Sequence, residues 1–204
     1  FTRLTETIVR QVGDLRRIVD EFSAFARMPK PVFRAETLAD IARHSLFLHE
    51  VAHPAIQFSF INEVEDDTLV CDRRQIGQAL TNIVKNAVEA VDARRQTAPE
   101  PPGAISMTIR PSDARIAIEV RDNGTGLPPE RERIIEPYMT TLGKGTGLGL
   151  AIVNRIVQEH GGVMQFEDVA GGGALVRILL DPEHLGRLED NLADTAAIKG
   201  DTVA

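Results

Sequence analysis

Gly143-Lys144-Gly145-Thr146-Gly147-Leu148-Gly149-Leu150 runs without a break into the apolar, helix-like stretch Ala151 to His160, which a second interruption at Gly161-Gly162 ends. Glycine at alternate positions leaves the backbone free to adopt conformations closed to other residues, so successive N–H groups can turn toward one anion. The helix that starts here points its positive end at the same place. Both features favour a phosphate, while glycine content alone also allows a plain hinge. Other glycine-rich loops fit less well. A P-loop needs Ser or Thr after Gly-Lys, and Lys144 is followed by Gly145. A dinucleotide fingerprint needs a strand directly before the glycines, but Glu136 to Leu142, with Pro137 and paired threonines, reads as loop. The His-Arg-Asp and Asp-Phe-Gly motifs of a protein kinase do not occur.

The glycine run lies in a chain of 204 residues, 43% hydrophobic and 26% charged, which suits one or two domains with an ordinary core. A net charge of -7 argues against broad binding to nucleic acid or to anionic lipid, so an anionic ligand must be held locally. The lone Cys71 excludes an intrachain disulfide framework and fits a reducing, cytoplasmic compartment. No apolar run approaches the roughly 18 residues of a membrane span. Phe1-Thr2-Arg3 is neither a signal peptide nor a natural start, so the chain reads as a segment of a longer protein.

Upstream of the glycines, Ile76, Leu80, Ile83, Ala87 and Val91 mark the buried stripe of a helix opening at Asp72, with Asn82 and Asn86 stacked one turn apart on another face. Asparagine is a poor helix former. Such a pair either chelates a cation or a ligand's polar edge, or simply faces solvent. Ile105, Met107 and Ile109, then Ile116, Ile118 and Val120, alternate as a hairpin turning at Pro111-Ser112-Asp113. The second strand ends in Asp122-Asn123-Gly124-Thr125-Gly126. A carboxylate there can accept from an exocyclic amine, and small glycines let a planar ring approach; the alternative is an ordinary Asp-Asn-Gly turn. Leu127 to Leu142 reads as a lid, and Val163 to Asp168 and Ala174 to Leu180 as strands joined through Gly171-Gly172-Gly173.

At the N-terminus Ile8, Val12, Leu15, Val19, Phe22 and Ala26 recur at spacings of four and three, predicting one helix of a bundle stopped by Pro29 and Pro31; docking on its own domain is the alternative. A shorter helix follows, with Thr37 and Asp40 placed for a capping box and Pro54 at its end. Ile56, Phe58 and Phe60 predict a strand, Leu69 to Cys71 another, and the polar tail from Asp181 leaves room for a short helix. His49-Glu50-Val51-Ala52-His53-Pro54 satisfies both a zinc-protease and a phosphoacceptor pattern. Pro54 ends the helix at once and no third ligand is evident, so these read as surface and boundary residues. His160 reads as a helix-end charge.

Asn82-x-x-x-Asn86-Ala87-x-Glu89-Ala90, Asp122-x-Gly124-x-Gly126, Glu136-Pro137 with Thr140-Thr141, and Gly145-Thr146-Gly147-Leu148-Gly149-Leu150-Ala151 occur in one order at sensible spacings. Together they resemble the N, G1, F and G2 boxes of bacterial sensor histidine kinases. Asp14-Leu15-x-x-Ile18-Val19-Asp20-x-Phe22-Ser23-x-Phe25-Ala26-Arg27-x-Pro29 is similar to the second dimerisation helix of the nitrogen-regulation, NtrB/NtrY-like type. The resemblance implies a Bergerat-type (GHKL) α/β sandwich, a mixed sheet with helices on one face, behind a long helix of a dimerisation bundle. It divides the chain into 1–30 (dimerisation helix), 31–55 (connector and first catalytic helix), 56–181 (ATP-binding catalytic domain) and 182–204 (tail).

It further implies ATP and Mg²⁺ as cofactors. Asp122 is expected to read the adenine amino group, with Gly124 and Gly126 beside it. Asn86 is expected to hold the metal and Asn82 to support the metal–phosphate assembly, these two being the catalytic residues. Gly145, Gly147 and Gly149 are expected to cradle phosphate, with Thr140, Thr141, Lys144, Thr146 and Leu148 in the same nucleotide site. In related ATPases the Asn82 position carries a glutamate base, so its absence favours transfer to a protein nucleophile. The implied partners are a second copy of the chain through the N-terminal helix and a response-regulator receiver domain, in a parent that is soluble or membrane-anchored. The phosphoacceptor is expected upstream of Leu4. Tyr138-Met139 stands where two phenylalanines are common, and Ala174 where threonine is. The alternatives are a related ATPase or serine-directed kinase on the same fold, or a non-catalytic dimerisation module.

Overall fold

The computed structural model describes residues 2–131, 134–136 and 147–188. In chain order the elements are α1 (Thr2–Ala26), β1 (Arg34–Thr37), α2 (Leu38–Ala52), β2 (Ile56–Asn62), β3 (Thr68–Cys71), α3 (Arg73–Thr97), β4 (Gly103–Ser112), β5 (Arg115–Asp122), α4 (Gly149–Glu159), β6 (Val163–Asp168) and β7 (Ala174–Leu180). A helical segment, 182–188, follows and buries Leu185.

Five strands form one mixed sheet in the order β2-β4-β5-β7-β6, with β2 parallel to β4 and every other neighbour antiparallel. Period-two alternation places Ile105, Met107, Ile109, Ile118 and Ile178 on one face, where they share a buried core with Ile76, Leu80 and Ile83 of α3, Leu38 and Ile41 of α2 and Ile156 of α4. Each such side chain contributes about 1.5–3 kcal/mol by leaving water. The result is the α/β sandwich with helices on one face that the motifs imply. β1 and β3 form a separate antiparallel ribbon. Cys71, at its end, is fully buried, and burial pushes its thiol up to about 12.

The opposite face of the sheet is polar, and its charges follow strand order. Arg110 on β4 approaches Glu63 (3.6 Å), just past β2, and Glu119 on β5 (3.7 Å). Arg177 on β7 donates to Glu119 (2.7 Å) and also to Glu167 on β6. Arg177 sits directly across from both Glu119 and Gln165 in the strand registers. Opposite charges facing each other across strands stabilise pairing and let this face stay in water. Arg177→Met should cost about 1 kcal/mol, and urea melts at low and high salt should show the cost shrinking as the charges are screened.

Three local expectations change. Thr37 is the N-cap of α2 but its side chain makes no capping bond. Asp67 does that work from the strand side, its carboxylate accepting from Ala39 N–H at 2.8 Å. β1 was not expected at all. His160 is a fully buried imidazole rather than a charge at a helix end, and burial lowers its pKa. In the His-Glu-x-x-His segment α2 ends at Ala52, and His53 lays its ring beside that of His49, its Nδ1 on the His49 carbonyl. Along α1, Ile8, Val9, Val12, Leu15, Val19 and Phe22 are exposed, so the helix is not docked on its own domain through this stripe.

Candidate functional site

α3 starts with its own cap, Asp72 accepting from Gln75 N–H at 3.0 Å, and turns Ile76, Leu80, Ile83, Ala87 and Val91 into the core. That orientation leaves Asn82 and Asn86 half-buried on the side where α4 begins. Asn82 Nδ2 donates to the Gly149 carbonyl at 3.4 Å. A Cβ on Gly149 would lie 3.8 Å from Asn86 Oδ1, so any larger residue there would cover that amide. Gly147 takes a φ of 69°, the left-handed region open to glycine, and the next residue, Leu148, is fully buried. The N-cap residue of α4, Leu148, makes no side-chain capping bond, and no acid occupies the helix's first turn. Its first N–H groups have no intrahelical acceptor by geometry, so an anion is their natural complement.

Asp122 ends β5 on the same face as Ile116, Ile118 and Val120 and is 6% exposed. Oδ1 accepts from Gly124 N–H (2.7 Å) and Ala174 N–H (3.3 Å), while Oδ2 accepts nothing from the described residues. Burial raises the carboxyl pKa, against the pull of those two donors. Asn123 fixes the strand end by accepting from Ala104 N–H (2.9 Å) and donating to the Pro102 carbonyl (2.8 Å). Gly124 presses on α3, since a Cβ there would come within 2.5 Å of the Ala90 carbonyl carbon, and Thr125 N–H donates to the Ala90 carbonyl at 3.2 Å. Ala90 lies one helical turn past Asn86, about 6 Å along the axis. The amide pair thus meets the start of α4, and the strand end that carries Asp122 packs on α3 one turn further along.

Of the expected site residues, Asn82, Asn86, Asp122, Gly124, Gly126, Gly147, Leu148 and Gly149 fall within the described residues; Asn82 and Asn86 meet Gly149, and Asp122 holds Gly124. Thr140, Thr141, Lys144, Gly145 and Thr146 lie outside them, as does half of the expected lid. Gly173 was read only as part of a strand connection and Ala174 only as a strand start standing where threonine is common, yet Ala174 N–H donates to Asp122 and Gly173 packs on its backbone. Gly173 has a φ of 100°, and a Cβ there would sit 2.0 Å from the Asp122 carbonyl oxygen. The run of three glycines was the only sequence signal for it.

A buried carboxylate at a strand end, two amides on α3 and a helix start behind a left-handed glycine are what this mixed sheet and its helices present. Residues 71–184 match the model of the histidine kinase-, DNA gyrase B- and HSP90-like ATPases, and the chain belongs to that family. Within it, the chain is similar to the nitrogen regulation protein NtrY of Azorhizobium caulinodans, at 47% identity over 90% of the chain. The chain spans 24% of that protein's length. The nucleotide-free catalytic domain of histidine kinase ThkA superposes with a TM-score of 0.65 at 31% identity, over 75% of this chain and 99% of that one. ThkA in complex with the response regulator TrrA gives 0.69 at 26% identity, over 86% and 49%. Full-length ShkA in complex with AMPPNP gives 0.72 at 27% identity, over 88% and 38%. This chain therefore carries an NtrY-like sensor histidine kinase catalytic domain.

Proposed function

We propose that this chain binds Mg²⁺-ATP in the groove beside α3, and that the whole protein passes the γ-phosphoryl group to a histidine outside residues 1–204 and then to an aspartate of a response regulator. The observation that carries this is the bridge from Asn82 to the Gly149 carbonyl, which sets the α4 N-terminus against the asparagine pair. Asp122 accepts from the adenine amino group through Oδ2. Gly124 and Gly126 leave the floor beside it free of side chains. Gly147, Leu148 and Gly149 present N–H groups and the α4 dipole to phosphate, with Thr140, Thr141, Lys144, Gly145 and Thr146 completing the site.

The amide oxygen of Asn86 suits Mg²⁺, a hard cation that keeps water and phosphate oxygens among its ligands. Bound there, the ion neutralises phosphate charge. Phosphoryl transfer is largely alignment and charge neutralisation, which amides and a helix dipole supply. Asn82 is no base, so nothing at that position activates water. The domain division follows the sequence reading, with 56–181 the ATP-binding unit, 31–55 connector and first helix, 182–204 a tail. The exposed stripe of α1, in 1–30, pairs with a second copy. Among the described residues no helix is long and apolar enough to cross a membrane.

Calorimetric titration of ATP, with and without Mg²⁺, tests the reading. Asn86→Ala should weaken Mg²⁺-ATP binding about tenfold or more and leave metal-free binding unchanged. Wild-type chain that binds no ATP, or a variant that binds Mg²⁺-ATP as wild type does, would sink the assignment. With γ-labelled ATP, the chain alone should acquire no acid-labile label.

A further inference from the structure

Residues 28–33, between α1 and β1, are seated on the domain by bonds to Asp72 and Gln75 at the start of α3 and by a ring contact to His160. His160 closes α4 and is fully buried. Its Nδ1 lies 2.8 Å from the Ile156 carbonyl, which can only accept, and its Nε2 lies 3.1 Å from Asp72 N–H, which can only donate. Those partners admit one species, the neutral imidazole protonated at Nδ1. Asp72 then carries the contact outward, its Oδ2 accepting from Val32 N–H at 2.9 Å. Fully buried Gln75 donates to the Pro29 carbonyl at 2.9 Å. Phe33 sets its ring edge-on against the imidazole, with centroids 5.2 Å apart. Met28 and Phe33 pack on the core.

We propose that His160 is a positioning residue, a latch that in its neutral form alone holds the connector 28–33, and so the exit of α1, to the far end of the helix that opens the phosphate site. α4 is 11 residues long, so latch and Gly149 are about 16 Å apart on one rigid element. A protonated ring would bring an Nε2–H against Asp72 N–H, two donors with no acceptor between them. The charged groups facing the ring are Asp72 from the α3 cap, with Arg74 3.8 Å from it, and Glu159 on α4. The His184 ring of the 182–188 segment lies against Gly161, next to the latch. Burial lowers the His160 pKa, outweighing the upward pull of the Ile156 carbonyl, Asp72 and Glu159. The neutral form is thus favoured by folding; the latch is complete above pH 6.5 and opens as pH falls through the depressed value.

Hydrogen–deuterium exchange of the 28–36 peptide, corrected for intrinsic rates, tests this in the nucleotide-free chain, so its outcome is separate from that of the ATP titration. His160→Phe keeps a ring beside Phe33 but offers no acceptor, and it should lose about tenfold or more of the connector's protection with β4 and β5 unchanged. His160→Gln keeps an acceptor near the Nε2 position and cannot take a proton. Its connector should stay protected at all pH values, while the wild-type connector loses protection on acidification below 6.5. Wild-type protection in His160→Phe, or an acid-induced loss that persists in His160→Gln, overturns the proposal. Should His160→Phe fail to fold, the pH comparison between wild type and His160→Gln decides alone.

Discussion

Asp122→Asn should melt at the wild-type temperature or above it while binding ATP roughly thirtyfold more weakly, a loss of about 2 kcal/mol. The two effects have opposite sign because one buried charge causes both. Burial raises the Asp122 pKa above 3.8. Between that value and the raised one the folded chain holds more protons than the unfolded chain, so stability falls as pH rises through the window. Above the raised value the ionised carboxylate opposes folding. An amide of the same shape keeps an oxygen for Gly124 N–H and Ala174 N–H and removes the buried charge. In the proposed ATP site the same change replaces the acceptor Oδ2 by a donor, facing an adenine amino group that is also a donor. Wild-type ATP affinity should accordingly weaken as the solution is acidified through the raised pKa, and the Asn variant's should not. Thermal melts paired with calorimetry decide it: a variant that melts several degrees lower and binds ATP as wild type does would show Asp122 to be structural only.

That carboxylate illustrates what a sequence can disclose and what it withholds. Asp122 stood out through the motif resemblance, since Asp-Asn-Gly by itself also reads as an ordinary turn, and β5 ends where the alternation of Ile116, Ile118 and Val120 stops. Its restraint was not legible, since Gly173 and Ala174 arrive from about fifty residues away. Elements with one apolar side could be read from their period: β6 and β7 run over the expected Val163–Asp168 and Ala174–Leu180, and α3 buries each residue of its expected stripe. β1 had no such signal. Arg34-Ala35-Glu36-Thr37 has no apolar alternation and is a strand only because β3 supplies its partner. The α2 cap follows the same rule, with local Thr37 displaced by Asp67, which lies 28 residues beyond the Ala39 N–H it accepts from. His160 was misread because a histidine at a helix end looks alike whether it meets water or Phe33 and Asp72. Periodicity reports which side of an element is buried, and it carries no information on which distant group will arrive there.

Gly173→Ala should be the most damaging single methyl in the described chain, costing about 3 kcal/mol or more. Two penalties coincide at that position. A φ of 100° is a conformation that L side chains rarely adopt, and the new Cβ would meet the Asp122 carbonyl oxygen at 2.0 Å and the Asn123 Cα at 2.7 Å. Those atoms are backbone, so no rotamer change relieves the contact, and either β7 must slide or the end of β5 must move. Gly171 separates the two penalties. Its φ is 89° but a Cβ there meets nothing within 4 Å, so Gly171→Ala should cost only the conformational strain, about 1–2 kcal/mol. For a chain of this size the difference corresponds to several degrees in melting temperature. The site should register it more strongly than the fold. Measured well below either melting point, Gly173→Ala should bind ATP at least about tenfold more weakly because Asp122 moves with its own carbonyl, whereas Gly171→Ala should bind like wild type. Equal melting temperatures and equal affinities in the two variants would mean that Gly173 does not hold the carboxylate in place.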